Sequence, residues 1–171
     1  MQPDGCILCP DQCKFIWNTS WSSLASVTYA IYRGHYSLSM VAGSVLLTSL
    51  NYWRLPNSSF RKYLDMSVVG VSLSYQLLRS IGAQHASLHY LLMMISLACY
   101  PVGIYFYNIG DYWASTYIHS ALHVIANISN MVLYSGDIVS LKENSFVKWL
   151  TNDATIAEQE TQENATNELP K

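Results

Sequence analysis

The chain has 171 residues, a net charge of −2, and charged residues at 12% of the total, about half the share usual in a soluble domain. That length fits one domain plus a tail, and without a Lys/Arg cluster there is no nucleic-acid surface. Between Lys14 and Lys142 the only charged residues are Arg33, Arg54, Arg61, Lys62, Arg79, Asp65, Asp111 and Asp137.

The uncharged blocks are 15–32, 34–53, 66–78, 80–110 and 112–136, and all but 66–78 approach or exceed the roughly 20 residues that cross a bilayer as a helix. The mean hydropathy of +0.16 is modest because an acidic tail and many Ser and Tyr dilute it. Thirteen Tyr and five Trp, many near block ends, suit interfacial aromatic belts. The expected fold is all-α: a polytopic transmembrane bundle of about five helices, with a disordered acidic C-terminal tail.

Residues 1–14 form a short segment carrying Cys6, Cys9 and Cys13. Their spacing has no second half to complete a metal site, so acylation, pairing and free thiols all stay open. With no basic region ahead of an apolar core, a cleavable signal peptide is not expected. The first span, 15–32, is rich in Ser and Thr and needs neighbours. The second, 36–53, has a small patch at Ala42, Gly43 and Ser44 where a helix can approach closely. Pro56, Asn57 and Ser58 break the chain, and Arg54, Arg61 and Lys62 place that loop outside hydrocarbon.

The third span, 63–82, aligns Asp65, Ser72, Gln76 and Arg79 on one face. Asp65 falls at its start, where a carboxylate also suits the helix dipole. The fourth, 85–107, begins with His85 and His89 and carries Pro101 and Gly103, which predict a kink. The fifth, 112–135, repeats Ser115, His119, His123 and Asn127 every fourth residue and continues the stripe through Asn130 and Tyr134. In lipid such stripes look inward. Residues 137–150 fit an interfacial helix, and 151–171 read as disordered.

Alternating spans put Ser49, Asp65, His119 and His123 at one end of the bundle, with Asn127 deeper and His85 and His89 at the opposite end. Two His at i and i+4 present both rings on one side of a helix, as a divalent metal requires, and a nearby carboxylate can orient, ligate or act as base. Ser72, Gln76, Asn127 and Asn130 form the polar interior.

H-x3-H in the last span, a Ser near the end of the second and an Asp opening the third resemble the core of the CREST superfamily. Those proteins (alkaline ceramidases, progestin and adipoQ receptors and related membrane hydrolases) have seven helices and a zinc site. The resemblance covers Trp17 to Gly136, with WNTSWS at 17–22 similar to the ceramidases' first helix. It implies His119 and His123 as zinc ligands, with Ser49 and Asp65 flanking a metal-bound water. Two departures stand against it. Trp53 occupies the place of the third His ligand, so zinc is under-ligated unless Asp65 joins, and two helices are missing.

The leading expectation is a non-catalytic structural or partner-binding membrane subunit whose stripe makes interhelical hydrogen bonds. The alternative is a zinc-dependent lipid amide or ester hydrolase using His119, His123, Asp65 and Ser49. The bilayer is the expected partner in both, with a lipid substrate or a membrane protein in addition. Weighting the dense 54–62 loop most heavily, the N-terminus is cytosolic and the tail lies outside or in a lumen, in an endomembrane or the plasma membrane. The Asn164 sequon is then open to glycosylation.

Overall fold

The protein, seen here in a computed structural model, is described over residues 8–56, 60–139 and 148. Cys6, nearly all of the expected interfacial helix, the acidic tail and Asn164 lie outside those residues. Within them the structure is all-helical: α1 (Pro10–Ser20), α2 (Ser23–Tyr32), α3 (Tyr36–Trp53), α4 (Phe60–Ser80), α5 (Ala86–Asn108) and α6 (Tyr112–Ser135).

The expected single first span is replaced by two helices, and it starts earlier than position 15. Pro10 opens α1, where its missing N–H costs nothing, and Gln12 Oε1 accepts from the Cys9 amide at 3.2 Å. Cys13 is therefore a buried helix residue packed with Ile16, Tyr52 and Trp53, not part of a loose terminus. Trp21 and Ser22 join α1 to α2 through tightened i→i−3 bonds, such as Ser22 N to the Thr19 carbonyl at 3.0 Å and Leu24 N to the Trp21 carbonyl at 3.0 Å. This is a 3₁₀-like constriction in mid-run. The run Asn18 to Ser23 holds only residues of middling helix propensity, and the short polar side chains among them also compete for the backbone.

The turns are set by glycine. Gly34 has φ +74° and Gly110 φ +86°, a region open to Gly at no steric cost. After each, the next amide reaches back to close the preceding helix: His35 N to the Ala30 carbonyl at 2.8 Å, and Asp111 N to the Phe106 carbonyl at 3.0 Å. These are Schellman closures. Asp111 then caps α6, its Oδ1 accepting from Ala114 N at 3.0 Å, so α5 folds back along α6 with almost no loop.

That pair is the most extensive in the fold. Ser96 Oγ donates to the Leu122 carbonyl at 3.1 Å. A Cβ at Gly103 would meet the Ser115 carbonyl oxygen at 3.7 Å, ordinary contact, and α5 continues as helix through Pro101. α2 packs on α3 and α6, α3 on α4, and α1 on α6 and α3. α4 is held mainly by α3, and reaches α5 at its end, where Ser80 Oγ donates to the Tyr90 hydroxyl at 2.9 Å.

Burial runs opposite to that of a water-soluble bundle. Polar side chains outnumber apolar ones among the buried described residues, including Ser26, Ser72, Gln76, His89, Ser120, His123, Asn127 and Asn130. Large apolar side chains face outward instead, with Met40 74%, Val71 71%, Leu47 69% and Met94 64% exposed. Among the described residues one helix, α5, is both long and apolar enough to cross a membrane, and only 17% of its most apolar stretch is buried. α1 and α2 are too short for this, at 11 and 10 residues, while in α3, α4 and α6 the polar residues, and the charges opening α4, dilute the apolar content.

Candidate functional site

Three polar assemblies occupy the bundle at successive depths. At the end where α3 finishes and α4 begins, Asp65 Oδ1 accepts from Ser49 Oγ at 2.8 Å and from Thr48 Oγ1 at 2.9 Å. α4 begins at Phe60, so Asp65 stands in its second turn rather than its first. That removes the expected capping role. The carboxylate is buried, and these two hydroxyls satisfy it from the neighbouring helix, as a buried acceptor requires.

On α6, the His119 ring packs edge-on against Trp53 with centroids 4.9 Å apart, and against His123 at 5.1 Å. Ser49 pairs with Asp65, and His119 with His123. They do not merge into one donor set: among the described residues no three His, Cys, Asp or Glu side chains are grouped to hold a metal. A tetrahedral zinc site needs three protein ligands and a water, or four protein ligands, so the ligand set implied by the family resemblance does not fit. Physically, an indole fills the space beside His119, while Asp65 is committed to hydroxyls.

The middle assembly centres on Asn127. Its Oδ1 accepts from Ser26 Oγ at 2.7 Å, and its amide nitrogen lies 3.0 Å from Ser23 Oγ, 3.2 Å from Ser22 Oγ and 2.7 Å from the His123 carbonyl. One side chain on α6 therefore meets the constricted junction of α1 and α2. Next to it is a cavity of about 110 Å³, whose lining includes Ser72 and Gln76 from α4, Met93 and Ser96 from α5, and His123, Asn127 and Asn130 from α6. Gln76 Oε1, His123 Nε2 and Asn130 Oδ1 are buried with no hydrogen-bond partner among the described residues. A polar cavity this size has room for about three waters, each wanting two to four such partners.

At the far end, His89 is fully buried between α5 and α6. Its Nδ1 lies 2.8 Å from Ser129 Oγ and 3.1 Å from the Ser129 carbonyl, and Ser129 Oγ is 2.9 Å from the His89 carbonyl. The His89 and His119 assemblies are separate. Nearby, Arg33 donates to the Ser135 carbonyl at 2.8 Å. His35 sits 6.4 Å from the Tyr134 ring, centroid to centroid. Burial holds the His35 imidazole below its ordinary 6.5, with the Arg33 and Arg79 charges adding to the effect.

No protein-family model, curated protein or solved structure matches the chain. The site is therefore read from its own geometry. Sequence reasoning missed Ser22, Ser23 and Ser26 as partners of Asn127, and Ser129 as the partner of His89. The available signal was the Ser-rich run at 20–26, which marks a helix needing hydrogen-bond partners inside a bundle.

Proposed function

We propose that the chain is a multi-pass integral membrane protein acting as a non-catalytic structural or partner-binding subunit. The observation that carries this is the inverted burial: a hydrogen-bonded polar interior wrapped in outward-facing Leu, Met, Val and Ile. In water that surface would be a large aggregation hazard. In hydrocarbon it is the preferred one, and the inward Ser, Asn and His become helix-to-helix glue. The mostly exposed state of α5 favours lipid contact over the core of a soluble fold. The N-terminus and the 54–62 loop face the cytosol in this reading.

Fractionation tests it directly. The protein should stay in membranes through alkaline carbonate washing and leave only with detergent. Recovery in the aqueous fraction would refute the membrane assignment, and stoichiometric zinc in detergent-purified protein would refute the non-catalytic one.

The resemblance to the CREST superfamily supports a second reading, a zinc-dependent lipid hydrolase or a descendant of one. One contact favours it: Trp53, at the place of the family's third His ligand, lies against His119. On that reading Trp53 displaced a ligand and closed the site. Trp53→His should then confer zinc binding that His119→Ala abolishes. A Trp53→His protein that folds but takes up no zinc would count against this reading.

A further inference from the structure

A pocket of about 260 Å³ lies outside the polar interior, between α1 and the chain leaving α3. The Trp53 indole that packs on His119 also lines it, together with Trp17, Leu55 and Pro56. Lys14 and Arg54 line it, and among the described residues no carboxylate does; Asp11, on the same helix as Lys14, is not among the lining residues. The pocket is thus mostly apolar in its walls, with two indoles and two cations among its described lining residues.

We infer that this pocket binds the phosphate-bearing headgroup of an anionic phospholipid, with Lys14 and Arg54 as its charge partners. The inference rests on the membrane reading above. Three features converge on it. Basic pockets between helices on the cytosolic side are suited to acidic headgroups, and in that reading Lys14 and the 54–62 loop share the cytosolic side. Trp17 and Trp53 supply amphipathic rings suited to the interfacial level. The volume is below the roughly 300 Å³ at which pockets begin to enclose whole drug-sized ligands, so it suits a headgroup whose acyl chains stay outside along the apolar exterior. Arg54 supplies a planar fork that matches a phosphate bidentately, and Lys14 a mobile point charge. Occupancy would tie the start of α1 to the end of α3 and hold the Trp53 indole on His119.

The test uses the full chain reconstituted in nanodiscs of phosphatidylcholine, alone or with phosphatidylserine or a phosphoinositide. Thermal stability and native mass spectrometry of retained lipid are the readouts. Anionic lipid should raise the melting temperature and be retained selectively. Lys14→Gln with Arg54→Gln should weaken that retention by about tenfold or more, at roughly 1 kcal/mol per cation. Lys14→Arg, with Arg54 unchanged, should keep it. Arg61→Gln with Lys62→Gln removes the same charge from residues that do not line the pocket and should leave retention nearly intact. Equal losses in the two neutralised pairs would reduce the effect to general surface attraction and overturn the site. Equal stabilisation by inorganic phosphate would overturn the lipid as occupant. Incorporation without any anionic preference defeats this inference alone, whereas failure to enter nanodiscs defeats the membrane reading and this inference with it.

Discussion

Asn127→Leu removes the side chain that joins α6 to the α1–α2 junction while keeping nearly the same volume. The Ser26 hydroxyl loses its 2.7 Å acceptor, and the Ser23 hydroxyl, 3.0 Å from the amide nitrogen, loses its donor. Interhelical hydrogen bonds within membranes average ~0.6 kcal/mol and reach ~1.7, so two of them set a scale of about 1–3 kcal/mol. The lower half of that range is favoured because Ser26 Oγ also lies 2.9 Å from the Ser23 carbonyl and can fall back on it. Unfolding in mixed micelles, followed by far-ultraviolet circular dichroism, measures the change. A double-mutant cycle with Ser26→Ala isolates the pair and should return a coupling of about 0.5–1.5 kcal/mol. Amides from Trp21 to Ala25 should also exchange faster, because the constriction loses its tether. Zero coupling together with unchanged exchange would show that Asn127 is not what braces the junction.

Asp65→Asn should be nearly neutral, since an amide oxygen still accepts from Ser49 and Thr48. Asp65→Leu leaves the buried Ser49 hydroxyl without that acceptor, Thr48 falling back on the Val45 carbonyl at 3.2 Å, and should cost about 1–3 kcal/mol. The same thermal-melt comparison would contradict this if the Asn variant were the worse of the two. The His35 imidazole is held below its ordinary 6.5 in the fold, so the unfolded chain takes up protons first as pH falls. Its contribution to stability is therefore complete above about 6.5 and is lost as pH drops from there toward the folded value. His35→Gln should flatten the melting temperature against pH across that window, and an unaltered slope would exclude the residue as the cause. At Gly136 an added Cβ would lie 2.7 Å from the His85 ring and 3.0 Å from Gln84 Cβ. Gly136→Ala should thus cost about 1–3 kcal/mol by overpacking, while Gly103→Ala, whose neighbours stand at 3.7 Å and beyond, should be tolerated on the same denaturation curve.

Helix limits were legible where punctuation is local. Gly34, Pro56, Gly82 and Gly110–Asp111 stop or start helices through backbone chemistry acting over a few residues, and α3 and α6 occupy the stretches those breakers bound. The first span was harder, because its constriction at Trp21–Ser22 carries no Pro or Gly and is stabilised by Asn127, about a hundred residues away. The start of α4 was misplaced by three residues, enough to suggest a capping role for Asp65 that the second turn does not allow. The pairs Ser49–Asp65 and His119–His123 each follow from a helical offset or from alternating spans. Their failure to merge does not, since it depends on how the helices pack: Trp53 comes to rest on His119, and Asp65 on the hydroxyls of α3.

The order of residues alone determined that the chain is helical, where most helices end, and that each carries a polar stripe, because periodicity and turn chemistry act within a few residues. Only the tertiary structure decided which stripe answers which. Asn127 finds the serines of α2, and His89 finds Ser129. The indole of Trp53 rests on His119, and the orphaned oxygens of Gln76 and Asn130 border one cavity. Those choices rest on helix rotation and depth, which are settled by packing among all six helices at once and are not encoded in the stripe of any one of them.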